Sequence, residues 1–313
     1  MRIAPVSCGG RGVIWNETAA RKGELMEIAG LQKLSLVDYP GLMAATVFLP
    51  GCDFRCPFCH NASLVAPQGG AGFPAADEDA FWAFLEKRRG VLQGVCISGG
   101  EPLLRDGLAQ LCGRIKEMGY RVKLDTNGAH PQRLAALIDA GLLDYAAMDV
   151  KASRAHYARA AGLRDDAAPE VVRAVQESAR LLMEGPIAYE FRTTVVRELH
   201  DMAHLEAMAD ELRGAQAWYL QRYADSPDVL AGPGVLSAYD EAAMARIVER
   251  LASRAPFVRL RGRKPCARPR RVSARSPPPL VDGGRQPRFS ADGVCPGALE
   301  YGITPPYVVL KYE

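Results

Sequence analysis

The sequence lacks the features of membrane-spanning and exported proteins. No apolar run of about 18 residues occurs, so no transmembrane helix is predicted. The N-terminal stretch has no apolar segment of roughly 7–15 residues, which a secretory signal needs. We therefore expect a cytoplasmic protein whose cysteines are thiols or metal ligands and do not form disulfides.

A strong excess of one charge is also missing. The 313 residues carry a net charge of only +3, and the positive excess lies after residue 261, where nine Lys or Arg accompany four Asp or Glu. The rest of the chain is close to neutral, which argues against a nucleic-acid-binding body. The basic tail leaves nucleic-acid binding open as an alternative for that segment, although we do not expect a nucleic acid as the partner.

Patterning divides the chain into three parts. Residues 1–25 have no helical or strand periodicity and are predicted to be a disordered or non-native extension, because Met26 begins a cleaner segment. Residues 26–261 are predicted to form the folded domain. Residues 262–313 hold nine prolines and the run RKPCARPRRVSARSPPP. Such a composition buries too little apolar surface to offset chain entropy, so this tail is predicted to be disordered.

Short apolar runs alternate with amphipathic stretches in the folded part. The predicted strands are Ala45–Leu49, Gly94–Ser98, Arg121–Asp125, Tyr145–Val150, Tyr189–Val196, Trp218–Arg222 and Phe257–Leu260. The predicted helices are Asp77–Arg89, Leu103–Met118, Pro131–Ala140, Pro169–Met183, Met202–Leu212 and Asp240–Ser253. This alternation predicts parallel strands with helical crossovers, an α/β fold of the partial (β/α)6 barrel type. A doubly wound sheet is the structural alternative, and in either fold functional residues belong at the carboxyl ends of the strands.

One group of cysteines has the spacing of metal ligands. Cys52, Cys56 and Cys59 lie in PGCDFRCPFCHN with the spacing C-x3-C-x2-C. A closed zinc site or a complete iron–sulfur site needs four ligands. In this stretch only His60 could be the fourth, and no second C-x2-C occurs in the chain. The spacing favours a [4Fe–4S] cluster with one iron left open, and zinc bound with His60 or a distant cysteine is the alternative.

Glycines and polar residues lie at the ends of three of the predicted strands or directly after them. They are Gly99, Gly100 and Glu101 in SGGEP, Asp125, Thr126 and Asn127 in LDTNG, and Asp149 and Lys151 in MDVK. Glycines let the backbone approach a ligand closely, carboxylates can bind ribose hydroxyls or a cation, and a lysine can bind a carboxylate. Plain turns, helix caps and a surface ion pair are the alternatives. For Arg192, Gln221 and Arg222, on later strands, the sequence leaves open whether the side chains face the site.

In order and spacing, these motifs resemble the radical S-adenosylmethionine (radical SAM) superfamily over about residues 26–261. KLSLVDYPG before the first strand and CPFCHN in the cysteine loop are similar to activating enzymes of glycyl-radical proteins, above all of the anaerobic ribonucleoside-triphosphate reductase. The resemblance implies a partial radical SAM barrel and an oxidoreductase. Its reduced cluster would cleave S-adenosylmethionine to methionine and a 5′-deoxyadenosyl radical, which forms a glycyl radical on the reductase. A flavodoxin or ferredoxin would supply the electron.

The resemblance also implies roles for individual residues. Cys52, Cys56 and Cys59 would hold the cluster. The stretch Gly99–Glu101 would hold the ammonium group of S-adenosylmethionine. Further contacts to this cofactor would come from Asp125, Thr126, Asn127, Asp149, Lys151 and Arg192. In some members a monovalent cation lies between residues that match Asp125, Thr126 and Asp149.

Several alternatives stay open. The target could be another glycyl-radical protein, a small molecule or a modified nucleoside. A protein of another class, a non-catalytic iron–sulfur or zinc protein, would share the cysteine loop but would not cleave S-adenosylmethionine. No Ser–His–Asp pattern occurs, and the role of His60 is open. The remaining histidines have no partner spacing and are predicted to be surface residues: His130, His156, His200 and His204.

Overall fold

The computed structural model describes residues 26–65 and 78–261. The predictions made for residues 1–25 and 262–313 lie outside the described residues. In the described part, eight strands form one sheet in which each strand is hydrogen-bonded to the next one in the chain. The first strand is antiparallel to the second, and all later pairs are parallel. The sheet is therefore an ordered series of parallel strands with one antiparallel edge strand.

The strands and helices follow one another in regular alternation. The strands are β1 (Gly30–Ser35), β2 (Ala44–Leu49), β3 (Gly94–Gly99), β4 (Arg121–Thr126), β5 (Tyr145–Asp149), β6 (Ala188–Val195), β7 (Trp218–Arg222) and β8 (Val258–Leu260). The helices are α1 (Glu78–Lys87), α2 (Leu108–Glu117), α3 (Pro131–Asp139), α4 (Tyr157–Ala161), α5 (Ala168–Glu184), α6 (Met202–Glu211) and α7 (Glu241–Ala252). Each connection from β2 to β8 contains a helix, and that between β5 and β6 contains two. This gives the predicted six strand–helix units.

Burial explains why these segments form these elements. All six residues of β2 are buried, as expected for a parallel strand that is covered on both faces. Helix α2 buries Leu108, Leu111, Cys112 and Ile115, which share one helical face. Cys96 on β3 and Cys112 are fully buried and belong to the core. Each helix of the described residues is too short or too polar to cross a membrane.

The predicted fold class is confirmed, and most element boundaries agree within two residues. One helix was predicted wrongly. Residues 103–107 do not belong to α2, because Pro102–Leu104 forms a separate 3-10 turn and the Glu101 side chain accepts a hydrogen bond from Leu103 N. Strand β1 and helix α4 were not predicted. Strand β1 is a half-exposed edge strand without a clear apolar alternation, and α4 has only five residues.

Candidate functional site

A cavity of about 140 Å³ lies at the carboxyl ends of the parallel strands. Every predicted site residue except Glu101 lines it. The cysteine loop forms one wall. The other walls come from residues at the carboxyl ends of β3, β4 and β5 or directly after them, and from side chains on β6 and β7. Residues lining the cavity that were not predicted as site residues include Phe58, Asn61, Val65, Ser98 and Thr194. The structure thus brings together residues on or after six consecutive strands, β2 to β7, as parallel topology requires.

Distant backbone groups hold the cysteine loop, which we define as residues 51–60. Arg55 N donates to Ala161 O at 2.9 Å, and Leu230 N donates to Cys59 O at 3.0 Å. The loop also packs tightly against Gly162, which has a φ of 62°. A Cβ atom at Gly162 would lie 2.0 Å from the carbonyl oxygen of Arg55, so only glycine allows this contact. The loop therefore takes its shape from the segments after β5 and β7.

The three thiols of this loop lie in a desolvated environment. Burial raises the pKa of Cys52 and of Cys56 to about 12, and it also raises the pKa of Cys59. Lys151 acts in the opposite direction on Cys56 and Cys59 because its positive charge favours thiolates. Without a bound metal the thiols are therefore protonated, and metal binding has to release protons.

This donor set fits the predicted cluster. Three thiols on one loop line a single cavity, next to the apolar side chains of Phe54 and Phe58. His60 lies beside Tyr223, with ring centroids 5.6 Å apart, and burial lowers its pKa. Its buried Nε2 has no hydrogen-bond partner among the described residues. In the same part of the chain, no three His, Cys, Asp or Glu side chains have the arrangement of a single-ion site. The three thiols on this loop are the candidate ligands of the cluster.

Gly99 and Gly100 allow β3 to approach the start of the cysteine loop. Gly100 N donates to Leu49 O at 2.9 Å, and Glu101 N donates to Gly51 O at 2.7 Å. A Cβ atom would lie 2.2 Å from Leu49 O at Gly99 and 2.0 Å from Gly51 O at Gly100. Neither contact is sterically allowed. The glycines are thus required by the close approach of two backbone segments, and both also line the cavity.

The Glu101 carboxylate is buried and connects two of the motifs. Its Oε1 accepts hydrogen bonds from Leu103 N at 3.0 Å and from Thr126 Oγ1 at 2.9 Å. Its Oε2 accepts from Asn127 N at 2.6 Å. Burial raises the pKa of Glu101 to about 7, although these donors act in the opposite direction. Glu101 therefore fixes the SGGEP turn to the end of β4 and does not itself reach the cavity.

Five charged side chains form a continuous series beside the cavity. Arg192 Nη1 is 3.1 Å from Asp125 Oδ2, and Arg192 Nε is 2.7 Å from Asp149 Oδ1. Lys151 Nζ is 3.1 Å from Asp149 Oδ2, and Lys123 pairs with Asp125 Oδ1. Burial acts to raise the pKa of both carboxyl groups, but the cations outweigh it and hold both values below the ordinary range. The series has three positive and two negative charges, so it presents a net positive charge to a ligand.

Two residues of this region were missed by sequence reasoning. Lys123 is fully buried and was not considered, because a lysine in the strand RVKLDT gives no sign of its direction. Asp53, in the cysteine loop, pairs with His130 Nε2 at 2.9 Å through Oδ2. These two residues are 77 positions apart, so no local pattern could indicate their contact.

One histidine was predicted wrongly. His200 is fully buried and not at the surface. Its Nδ1 accepts a hydrogen bond from Val196 N at 3.1 Å, and its Nε2 is 2.7 Å from Lys151 O. Both ring nitrogens therefore have backbone partners, and the imidazole joins the end of β6 to the backbone of Lys151.

For three strand residues the sequence left the direction of the side chain open. Of these, Arg192 and Gln221 face the cavity, and Arg222 does not line it.

Comparisons with known proteins identify the relatives of this chain. The family model of the Radical SAM superfamily matches residues 46–208. A protein from Methanocaldococcus jannaschii, whose name gives it provisionally as a glycyl-radical enzyme activating enzyme, is 31% identical over 198 residues, which are 63% of this chain and 79% of the relative. The pyruvate formate-lyase-activating enzyme from Clostridium pasteurianum is 33% identical over 106 residues, 32% of this chain and 43% of the relative.

Two further comparisons have narrower coverage or lower identity. The 7-carboxy-7-deazaguanine synthase from Hyperthermus butylicus is 35% identical over 94 residues, 30% of this chain and 38% of the relative. Among solved structures, SuiB from Streptococcus suis bound to S-adenosylmethionine has a TM-score of 0.49 at 16% identity, over 67% of this chain and 48% of SuiB. The chain spans most of the relative from Methanocaldococcus jannaschii, but less than half of the formate-lyase activase and of the synthase.

Proposed function

The chain belongs to the radical SAM superfamily, and we propose that this enzyme activates a glycyl-radical protein, the anaerobic ribonucleoside-triphosphate reductase. The observation that carries the proposal is the position of the three loop cysteines on the wall of a cavity that also contains a positively charged group of side chains. Two relatives are named as activating enzymes of glycyl-radical proteins or of pyruvate formate-lyase. They support this class of target and do not distinguish among its members.

Different residues of the chain are proposed to bind the cluster and S-adenosylmethionine. We assign the [4Fe–4S] cluster to Cys52, Cys56 and Cys59. When bound, the cluster and S-adenosylmethionine supply the radical chemistry that removes a hydrogen atom from the target. Lys151 and Arg192 direct positive charge into the cavity, where the carboxylate of an amino-acid group can bind. The backbone of Gly99 and Gly100 lies at the cavity wall, open to the ammonium end of such a ligand.

The identity of the target rests on sequence motifs. KLSLVDYPG and CPFCHN are similar to the activating enzymes of the reductase, and this favours the reductase over formate-lyase. Residues 33–43, which contain the lead-in KLSLVDYPG and the two residues after it, include four exposed apolar side chains, Leu34, Leu36, Val37 and Met43. For the electron donor we propose a flavodoxin or a ferredoxin. A small-molecule target is the second candidate, because the deazaguanine synthase is also a relative.

The monovalent cation is not part of this proposal. Asp125, Thr126 and Asp149, its predicted ligands, already have partners among the described side chains. The cation is therefore expected from the resemblance alone.

The first experiment tests the chemistry. The protein is reconstituted anaerobically with iron and sulfide, reduced, and supplied with S-adenosylmethionine, and 5′-deoxyadenosine is quantified. We expect product from the wild type, none from Cys56→Ala, and product from the control Cys112→Ala, which removes a buried thiol that does not line the cavity. A cluster that forms and cleaves nothing with several reductants contradicts the proposal.

The second experiment tests the target. The active protein is incubated with the reductase or with pyruvate formate-lyase, and a glycyl radical is sought by electron paramagnetic resonance. We expect the signal on the reductase. A signal on formate-lyase alone corrects the target within the same class. Cleavage of S-adenosylmethionine without a radical on either protein favours the small-molecule candidate.

A further inference from the structure

The guanidinium of Arg192 lies between two carboxylates that the resemblance assigns to a monovalent cation. Asp125 is the penultimate residue of β4 and Asp149 is the last residue of β5, whereas Arg192 belongs to β6 and is paired in register with Asp149. Its Nη1 contacts Asp125 at 3.1 Å and its Nε contacts Asp149 at 2.7 Å. A single cationic side chain therefore joins the ends of two strands, as a bound metal ion would.

No carboxylate oxygen of this pair lacks a partner. Arg192 contacts Asp125 Oδ2, which also accepts a hydrogen bond from Ser98 at 3.2 Å, and Lys123 contacts Asp125 Oδ1. On Asp149, Arg192 contacts Oδ1 and Lys151 contacts Oδ2. An added ion would compete with these cationic groups for the same carboxylate oxygens.

The third predicted ligand is also engaged. Thr126 Oγ1 donates to Glu101 Oε1 at 2.9 Å and accepts from Gly128 N at 3.0 Å. Its hydroxyl is therefore directed to the neighbouring turn and away from the carboxylate pair.

The charges around the two carboxylates lead to the same conclusion as the contacts. Two carboxylates already face three cationic groups, those of Lys123, Lys151 and Arg192. A monovalent cation would raise the excess to two positive charges in a buried region, where repulsion between like charges is only weakly screened. The described side chains therefore do not fit this ion.

We propose that Arg192 takes the place of a monovalent cation in this chain, so that S-adenosylmethionine binds without a requirement for Na⁺ or K⁺. In this role Arg192 is a positioning residue: it holds Asp125 and Asp149 at a fixed separation, and its positive charge replaces that of the ion. The part on S-adenosylmethionine rests on the proposed function. The part on the ion concerns the folded protein itself and can be tested without turnover.

The test exchanges the cation at constant ionic strength. The reconstituted wild type is studied in KCl, in NaCl and in tetramethylammonium chloride, whose ion is too large for a site between two carboxylates. Thermal unfolding and the dissociation constant for S-adenosylmethionine are measured in each salt. We expect the same midpoint and the same dissociation constant in all three. A midpoint that falls in tetramethylammonium, or binding weaker by more than about tenfold, overturns the proposal.

Replacing Arg192 provides the complementary test of whether its charge substitutes for the ion. Arg192→Ala removes the guanidinium and leaves the carboxylates, so we expect its midpoint to fall in tetramethylammonium and to recover partly in KCl. Arg222→Ala, on β7 and not lining the cavity, is the matched control and is expected to be indifferent to the salt. A midpoint of Arg192→Ala that does not change with the salt contradicts the proposal.

The two possible failures are distinguishable. If Arg192→Ala does not fold in any salt, Arg192→Lys is used, which keeps one positive charge and loses the bridge. The wild-type comparison decides the question in either case. If S-adenosylmethionine does not bind in any salt, the proposed function fails, while the unfolding midpoints still show whether the protein needs the ion.

Discussion

Asn127 Nδ2 donates a hydrogen bond of 2.8 Å to Asp53 Oδ1, across 74 residues of sequence. The other carboxylate oxygen of Asp53 is 2.9 Å from His130 Nε2. Asp53 directly follows Cys52, whereas Asn127 and His130 belong to the segment between β4 and α3. The first cysteine of the loop is thus fixed to the sheet through its neighbour, and this contact suggests how the loop keeps its thiols in place.

Removing that connection should loosen the cysteine loop. We expect Asp53→Ala to retain the fold and to lose its cluster faster, because Cys52 is no longer fixed to the β4–α3 segment. The measurement is the decay of cluster absorbance in the presence of an iron chelator. Asp165→Ala, at an exposed position, serves as the control. His130→Ala should have a smaller effect, and the double variant should lose the cluster no faster than Asp53→Ala. Decay rates equal to wild type would show that Asp53 does not hold the loop.

Adding one methyl group at Gly100 should lower the free energy of unfolding. Its Cβ would lie 2.0 Å from Gly51 O, and that contact requires the cysteine loop to move. We expect Gly100→Ala to lose about 1–3 kcal/mol of unfolding free energy, or more. Gly113→Ala, in the middle of α2 where the nearest atom is 3.9 Å away, should gain up to about 1 kcal/mol. Urea unfolding of both variants tests this pair, and equal effects would contradict it.

The Glu101 carboxylate should not be replaceable by an amide. All its partners in the described structure are donors, so one end of a glutamine would direct its NH₂ group at an N–H or O–H. We expect Glu101→Gln to lose about 1–3 kcal/mol of unfolding free energy, the cost of unsatisfied buried polar groups. Glu117→Gln, at an exposed position on α2, should change little. The comparison is made by urea unfolding at pH 8, above the raised pKa of Glu101, which is about 7.

Stability should fall in acid because of the buried carboxylate pair. The pKa values of Asp125 and Asp149 in the folded state lie below the ordinary value of 3.8. Their contribution is thus fully present above about pH 4 and is lost as the pH falls towards the folded-state values. We expect Asp149→Asn to be less stable at pH 7 and to show a shallower loss between about pH 4 and pH 3. Asp166→Asn, in an exposed ion pair, should keep the wild-type slope. Unfolding midpoints across this pH range provide the test.

The strands were predictable because each depends on a local pattern of apolar residues in the sequence. A strand such as β2 is buried along its whole length and reads as a continuous apolar run, with a helix pattern after it. The start of α2 was not predictable in the same way. It depends on Glu101, whose side chain caps the turn at Pro102–Leu104 only because the strands around it are already in place. Edge strand β1 carries too weak an alternation to be found.

The sequence could predict most of the motifs that line the cavity, but not the contacts between their side chains. Parallel topology explains why motifs that follow different strands meet at one edge of the sheet. It does not say that Lys123 is turned inward to Asp125, or that Asp53 reaches His130. Those contacts depend on side-chain direction and on loops, and neither leaves a periodic signal in the sequence. The arrangement of Arg192 between two acids likewise depends on the register of β4, β5 and β6.

The way in which the cysteine loop is held has a consequence for biosynthesis. Ala161, Leu230 and Ala231 supply backbone partners for the loop, and the last two are made long after Cys59 has left the ribosome. Chains are synthesised from the N-terminus, so the three thiols emerge early and reach their final spacing late. We expect the maturation machinery to deliver iron and sulfide to a nearly completed polypeptide. In that order the cluster is inserted into a finished scaffold and does not nucleate it.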